Sequence, residues 1–401
     1  MKLLLCSLFQ PDFIDGASVS ARALAYHLRD MGVDVTVCTT DLGWRKEQIL
    51  EAPRTEFVGL RVYHAWFSHP LEIAPQLAWF FYRHLRSYDL AHFRGIFSVG
   101  TCLGTLVARM LGCPYVISPL GNWPPKWSER GSVTKGTSKV LFFQMFCRQA
   151  LAGASGIICA SDAERDSVQQ LLPSANVISI SNGVDPIDTP LPSRHELCDR
   201  LNVAYDTELF LFLGRVSPEK GIDFLIRAWN VTSLKLPGAR LVLAGDASLN
   251  TAHEQVLRSG ITALTRPESL ITPGAVTGAF KHALLTHSCC LLFPSYRESF
   301  GNVVLESLAA GTPVIASVGT PWSFLETNHL GKWLPWDETS WSDAMVSFAQ
   351  RSATVRDEFS NRSRQWVRTN YSWQASAARY IQTYEGILGS FSNHRGETRL
   401  F

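Results

Sequence analysis

The sequence lacks an excess of charge of either sign: 37 basic and 35 acidic residues leave a formal charge of +2. No broad electrostatic footprint for nucleic acid is present, so any anion site must be local. Its nine cysteines (Cys6, Cys38, Cys102, Cys113, Cys147, Cys159, Cys198, Cys289 and Cys290) never take C-x-x-C spacing. An odd, scattered set argues against a disulfide framework or a zinc site and suits reduced thiols in a cytosolic protein. No D-x-D occurs, and no His, Asp and Glu cluster has ligand spacing, so a divalent ion held by side chains is not expected. Uninterrupted apolar runs fall short of the roughly 18 to 20 residues that span a bilayer. The nearest, Ala283–Pro294, contains His287, and no integral membrane segment is expected. The amino-terminal apolar run meets Gln10, Pro11 and Asp12 without a small-residue cleavage site, so it reads as a first strand rather than a secretion signal.

What is present is core-forming material. A chain of 401 residues, 46% hydrophobic and with 12 tryptophans, is longer than one core supports and points to two domains. Lys2–Phe9 reads as a strand, Ser18–Met31 as a helix closed at Gly32, and Val33–Val37 as a second strand. Asp89–Phe93, a helix from Val99 to Leu111, Pro114–Ser118 and Gly156–Cys159 continue the rhythm. Pro186, Pro190 and Pro192 mark the best boundary in the chain, with a short helical pattern over Arg194–Leu201. A second wound unit follows. Leu209–Leu213, Ala239–Ala244, Cys289–Phe293 and Pro313–Ser317 read as strands, and Gly221–Leu234 and Asn302–Ala310 as helices. The expected fold is therefore α/β, two Rossmann-like doubly wound parallel sheets facing across a cleft. The expected domains are 1–190, 191–370 and a returning helix and tail, 371–401.

Ligands of wound sheets bind beyond the carboxyl ends of strands, where helix N-termini present amides to anions. Gly214–Gly221 places Arg215 and Lys220 on one such loop. An arginine fork and a lysine point charge beside a helix start suit a diphosphate, although surface cations are more often merely solvated. Pro294–Glu306 carries Glu298 in a loop and Glu306 about one turn into the next helix, with Gly301 allowing close approach. The bland alternative is a helix-start carboxylate and a solvent-facing one. Asp12–Ser18 holds only Gly16, not G-x-G-x-x-G, which counts against a nicotinamide enzyme. His92 and Arg94, and the Ser118–Trp123 segment with Asn122, follow strands of the first sheet. A histidine beside a strand end is more often structural than catalytic.

Taken in order, these segments resemble glycosyltransferase family 4, of the GT-B fold. The resemblance rests on Gly16, Ala160-Ser161-Asp162-Ala163-Glu164, Asn182-Gly183-Val184-Asp185, the G-R-x-x-x-x-K-G of Gly214–Gly221, the E-x7-E of Glu298–Glu306 and Ala309–Ala316. It implies retaining, metal-independent transfer of a sugar from a nucleotide diphosphate sugar, with no cofactor. Arg215, Lys220 and Glu298 would be the catalytic group, Arg215 and Lys220 on the diphosphate and Glu298 on the donor sugar. Glu306 would bind the ribose diol, and Gly16, Gly214, Phe300, Gly301, Asn302 and Val303 would complete the donor site. Many members carry histidine where this chain has Leu120, so His92, Arg94 and Asn122 are candidates for positioning acceptor or sugar.

The implied partners are the nucleotide-sugar donor and a glycan or lipid-linked acceptor, in assembly of a bacterial-type surface polysaccharide or glycolipid. Trp123–Ala150 interleaves Lys126, Arg130, Lys135, Lys139 and Arg148 with aromatics, and Leu77–Tyr88 adds Trp79, Tyr82, Arg83 and Arg86. These segments fit peripheral contact with anionic lipid on the inner face of the cytoplasmic membrane, or a basic loop and a core-packed helix. Two rivals stay open: a GT-B-shaped nucleotide-sugar epimerase, and a catalytically silent partner in a glycosylation complex.

Overall fold

Continuous apolar runs become strands buried on both faces, as a parallel sheet covered by helices requires. The computed structural model describes residues 1–7, 16–41, 59–65, 73–121, 140–187, 190–245 and 258–397. The chain divides into two units, Met1–Gly183 with Trp373–Phe401, and Val184–Ser372.

The first unit contains β1 (Lys2–Cys6), β2 (Asp34–Thr40), β3 (Leu60–Tyr63), β4 (Leu90–Arg94), β5 (Tyr115–Ser118), β6 (Gly156–Cys159) and β7 (Val177–Ser179). They form one parallel sheet of order β3-β2-β1-β4-β5-β6-β7. Alternation splits β1 between two cores: Leu3 and Leu5 pack with Leu24 and Leu28, while Leu4 and Cys6 pack with Phe81 and Phe93. The helix Gly16–Asp30 buries Ala21, Leu24, Ala25 and Leu28, and Gly32 at φ 86° turns the chain out of it. The C-terminal helix Trp373–Glu397 lays Trp373, Ala377, Tyr380, Tyr384 and Ile387 into the same layer as Leu24. The strand order reverses between β1 and β4, which places a ligand-binding switch point at their carboxyl ends.

The second unit contains β8 (Leu209–Leu213), β9 (Arg240–Ala244), β10 (Leu270–Gly274), β11 (Cys290–Phe293), β12 (Val314–Ser317) and β13 (Gly331–Leu334). Its parallel order is β10-β9-β8-β11-β12-β13, with the reversal between β8 and β11. The helices Ile222–Lys235 and Glu338–Ala349 bring Trp229, Trp341 and Met345 onto Phe210, Leu243 and Ile315. At its start, the helix Arg194–Leu201 is set by a capping box, Ser193 with Glu196, which satisfies two end amides reciprocally.

Two wound α/β sheets are thus present as expected. The apolar run Ala283–Pro294 is shared between the helix Gly278–His287 and β11. No helix among the described residues is long and apolar enough to cross a membrane. All nine cysteines are free thiols.

Candidate functional site

In the second unit the two carboxyl-end loops flanking the switch point are sewn together. The loop after β8 tightens into a 3-10 turn, Pro218–Lys220, and Tyr296 N–H on the loop after β11 donates to Glu219 O at 2.8 Å. Gly221, at φ 66°, has no room for a side chain, since a Cβ there would stand 2.3 Å from Pro294 O. Its left-handed backbone and this close approach both require glycine. The Tyr296 hydroxyl donates to the Asp223 carboxylate, 2.9 Å from Oδ2, and completes the seam.

This seam brings Lys220 onto Glu298: its Nζ donates to Oε2, and both side chains are 16% exposed. Lys220 also lies 5.8 Å from the centre of the Phe293 ring. Next to it, Gly301 at φ 88° starts the helix Asn302–Ala310, and no side chain caps that end. The helix dipole favours an anion at this end. One turn in, Glu306 pairs with Lys281 of the helix Gly278–His287 at 2.8 Å. The site therefore holds two lysine–carboxylate pairs around an uncapped helix start. Phe300 is buried, with its ring 5.1 Å from that of Trp322, and its carbonyl accepts from Trp322 Nε1. What Phe300 contributes is a fixed loop.

The first unit has its own cavity, about 170 Å³, at the switch point between β1 and β4. Ser7, Ala17, Thr39, Arg94, Ser98 and Leu120 are among the residues that line it. Arg94 is 4% exposed, and its Nη2 donates to Ser20 Oγ at 2.9 Å. Leu120, at φ 58°, occupies a region that leucine rarely adopts. The turn is fastened from behind, where Glu164 accepts from Gly121 N–H and Ala160 N–H, each at 2.8 Å. Burial raises the Glu164 pKa against the lowering effect of those two amides.

Residues 14–187 match the protein family described as Glycosyltransferase Family 4, and residues 194–329 the family described as Glycosyl transferases group 1. The chain belongs to glycosyltransferase family 4. Among curated relatives, the D-inositol 3-phosphate glycosyltransferase of Kineococcus radiotolerans is 28% identical over 75% of this chain and 72% of its own. The alpha-monoglucosyldiacylglycerol synthase of Streptococcus pneumoniae is 27% identical over 77% and 69%. Among solved structures, Anabaena HepE in complex with UDP-glucose superposes with a TM-score of 0.75 at 18% identity, covering 96% of this chain and all of that one. The fold is thus GT-B and the protein a glycosyltransferase. The epimerase and silent-partner readings gain no support from these matches.

Of the glycosyltransferase's candidate donor residues, the second unit brings together Lys220, Glu298, Phe300, Gly301, Asn302, Val303 and Glu306 on the seam and the helix it feeds. Gly214 follows β8 and is held by its N–H to Ala244 O at 3.0 Å. Arg215 is exposed beside it. Gly16, in the first unit, opens the helix Gly16–Asp30. Asn122, Asp12–Asp15 and the basic stretch Trp123–Lys139 lie outside the described residues.

His92 needs a correction as a positioning candidate. Its side chain is completely buried, with Nδ1 2.7 Å from the Tyr384 hydroxyl and Nε2 2.8 Å from Ser118 Oγ. It sits on the face of β4 that the C-terminal helix covers, where a polar group must be bonded internally. Burial, reinforced by the Arg94 charge, pushes its pKa well below the usual value, so it is a neutral tie between β4, β5 and the helix. One residue of the site escaped sequence reasoning. Lys281 lies 25 positions from Glu306, on a helix with no motif, and only the sheet order brings the two together.

Proposed function

We propose that this glycosyltransferase moves a sugar from a nucleotide diphosphate sugar, held by the second unit, to a glycan or lipid-linked acceptor, with retention and without a metal ion. The observation that carries the reading is the pairing of Lys220 with Glu298 beside the uncapped helix start at Gly301. A diphosphate is the better partner for Lys220: entering there, it takes the ammonium and the helix amides and releases Glu298. The freed carboxylate then accepts from hydroxyls of the donor sugar. As the glycosidic bond breaks, negative charge grows on the departing diphosphate, where Lys220, the Arg215 guanidinium and the helix amides would stabilise it. The pair with Lys281 orients Glu306, so that its carboxylate can accept both hydroxyls of a ribose. Retention follows the family resemblance: attack on the face the diphosphate leaves, with a phosphate oxygen taking the acceptor proton.

The acceptor class is supported by relatives named for D-inositol 3-phosphate and for monoglucosyldiacylglycerol. Membrane contact is supported by neighbouring helices of the first unit. Trp79, Tyr82, Leu106, Met110, Leu141, Met145 and Phe146 are large apolar side chains exposed to solvent, and the Arg83 guanidinium lies 5.6 Å from the Trp79 ring centre. Aromatic and aliphatic groups edged by arginine suit an anionic bilayer surface and a cytoplasmic, peripheral enzyme in glycolipid or surface-polysaccharide assembly.

A thermal-shift screen against UDP, GDP, ADP, CMP and dTDP, with and without EDTA, tests the donor reading, since a ligand of the folded state raises apparent stability by mass action. A shift with a diphosphate that survives EDTA is expected. The anomeric configuration of the product, read by proton NMR, tests retention. No shift with any nucleotide would contradict the reading.

A further inference from the structure

We propose that the cavity at the switch point of the first sheet binds an oxyanion carried by the acceptor, a phosphate or a carboxylate, with Arg94 as its fixed cation. This rests on the reading that the first unit receives the acceptor. The guanidinium is the last side chain of β4, enclosed between the strand ends and the helix Gly16–Asp30. Only Nη2 is bonded, to Ser20 Oγ; Nε and Nη1 are buried with no hydrogen-bond partner. Among the described residues, the groups that shift it electrostatically are the Tyr380 and Tyr384 phenols, and no carboxylate is among them.

An arginine does not escape burial by giving up its proton. Burial does lower its pKa from the ordinary value, but that value lies so far above neutrality that the charge persists. A charge removed from water without a counter-ion is costly, and native structures nearly always pair it. Among the described residues no counter-ion is paired with it, and the cavity provides room for one. Ser7 Oγ, on the same cavity wall, is likewise buried without a partner. The helix Gly16–Asp30 starts at that wall, where Ala17 lines the cavity, so its positive end adds to the Arg94 field. Leu120 supplies a further wall in its left-handed conformation. Backbone strain persists where the surroundings over-determine it, commonly at ligand sites. A cation fork, an unpartnered hydroxyl and a helix start around about 170 Å³ describe a receptor for one compact oxyanion.

The test is calorimetric titration of inorganic phosphate and, separately, acetate into the full chain carrying Arg215→Ala and Lys220→Ala, so that the nucleotide site does not compete. Saturable binding of one of the two anions is expected, and which one binds identifies the group. Adding Arg94→Met should weaken that binding about tenfold or more, the loss typical of a charge-assisted bond. Arg94→Lys should retain part of it, and Ser7→Ala should weaken it less. Without ligand, Arg94→Met should melt no lower than its parent, because the change removes a lone charge and strands none. If phosphate is the anion, glucose 6-phosphate should displace it, whereas a site for free phosphate would exclude the ester and overturn the acceptor assignment. Absence of saturable binding, or equal binding by the Arg94→Met and Ser7→Ala chains, would overturn the site. The nucleotide reading assigns no part to Arg94, so either reading can fail while the other stands.

Discussion

In the second unit Lys220 meets Glu298 and Lys281 meets Glu306, whereas in the first unit Arg94 stands at a strand end with two of its nitrogens unpartnered. Both sets of cations lie near the switch point of a parallel sheet, so topology alone does not explain the contrast. The lysine pairs are partly open to water, at 16 to 22% exposure, and an ammonium is a point charge that changes partners readily. Such pairs keep a site near neutral until a stronger anion exchanges in. The buried arginine is held by one hydroxyl, and among the described residues no carboxylate compensates its charge. One unit suits a ligand that exchanges ion pairs, and the other suits a ligand that brings the missing charge.

The largest expected effect is on turnover. Lys220→Ala removes a charge-assisted contact to the diphosphate worth about 1.5 to 3 kcal/mol and leaves Glu298 without its partner, so kcat/KM should fall roughly ten- to hundredfold. Steady-state kinetics checks this, and wild-type turnover would place the diphosphate elsewhere.

Next comes stability in the first unit. His92→Ala leaves the buried Tyr384 hydroxyl and Ser118 hydroxyl short of a partner and should cost about 2 to 4 kcal/mol, seen as a lower urea midpoint. The sign of the pH effect follows from burial. The folded His92 pKa lies well below its ordinary value, so its stabilising contribution is complete above about pH 6.5 and declines as pH falls below it. His92→Asn should flatten that decline between about pH 6.5 and 5. An unchanged slope would show that another group carries it.

The smallest effect is expected from Lys281→Ala. Glu306 keeps its place on the helix but loses a half-buried ion partner, so donor KM should rise a few-fold, with kcat nearly unchanged. A large fall in kcat would make Lys281 a direct contact of the reacting groups.

The central strands were legible because burial on both faces leaves an unbroken apolar run, as in Leu209–Leu213, and because a glycine punctuates some of the helix ends between them, as Gly112 and Gly311 do. The edge strands were not. β3 and β13 are half exposed, and β10 contains Pro273 and Gly274, so none carries a run to read. At the site, the loop motifs located Lys220, Glu298 and Glu306, while pairings across the fold were beyond reach: Lys281 with Glu306, and His92 with Tyr384, 292 positions away. Arg94 was visible as a residue at a strand end. That no carboxylate among the described residues faces it depends on the helices laid over the sheet, which local periodicity does not encode.

The most direct measurement is calorimetric titration, in EDTA, of the nucleotide diphosphate that gives the largest thermal shift into the wild-type, Lys220→Ala and Arg94→Met chains. The exchangeable-pair account predicts wild-type affinity for Arg94→Met and a loss of about tenfold or more for Lys220→Ala. Equal affinity in all three chains, or a loss confined to Arg94→Met, would contradict it.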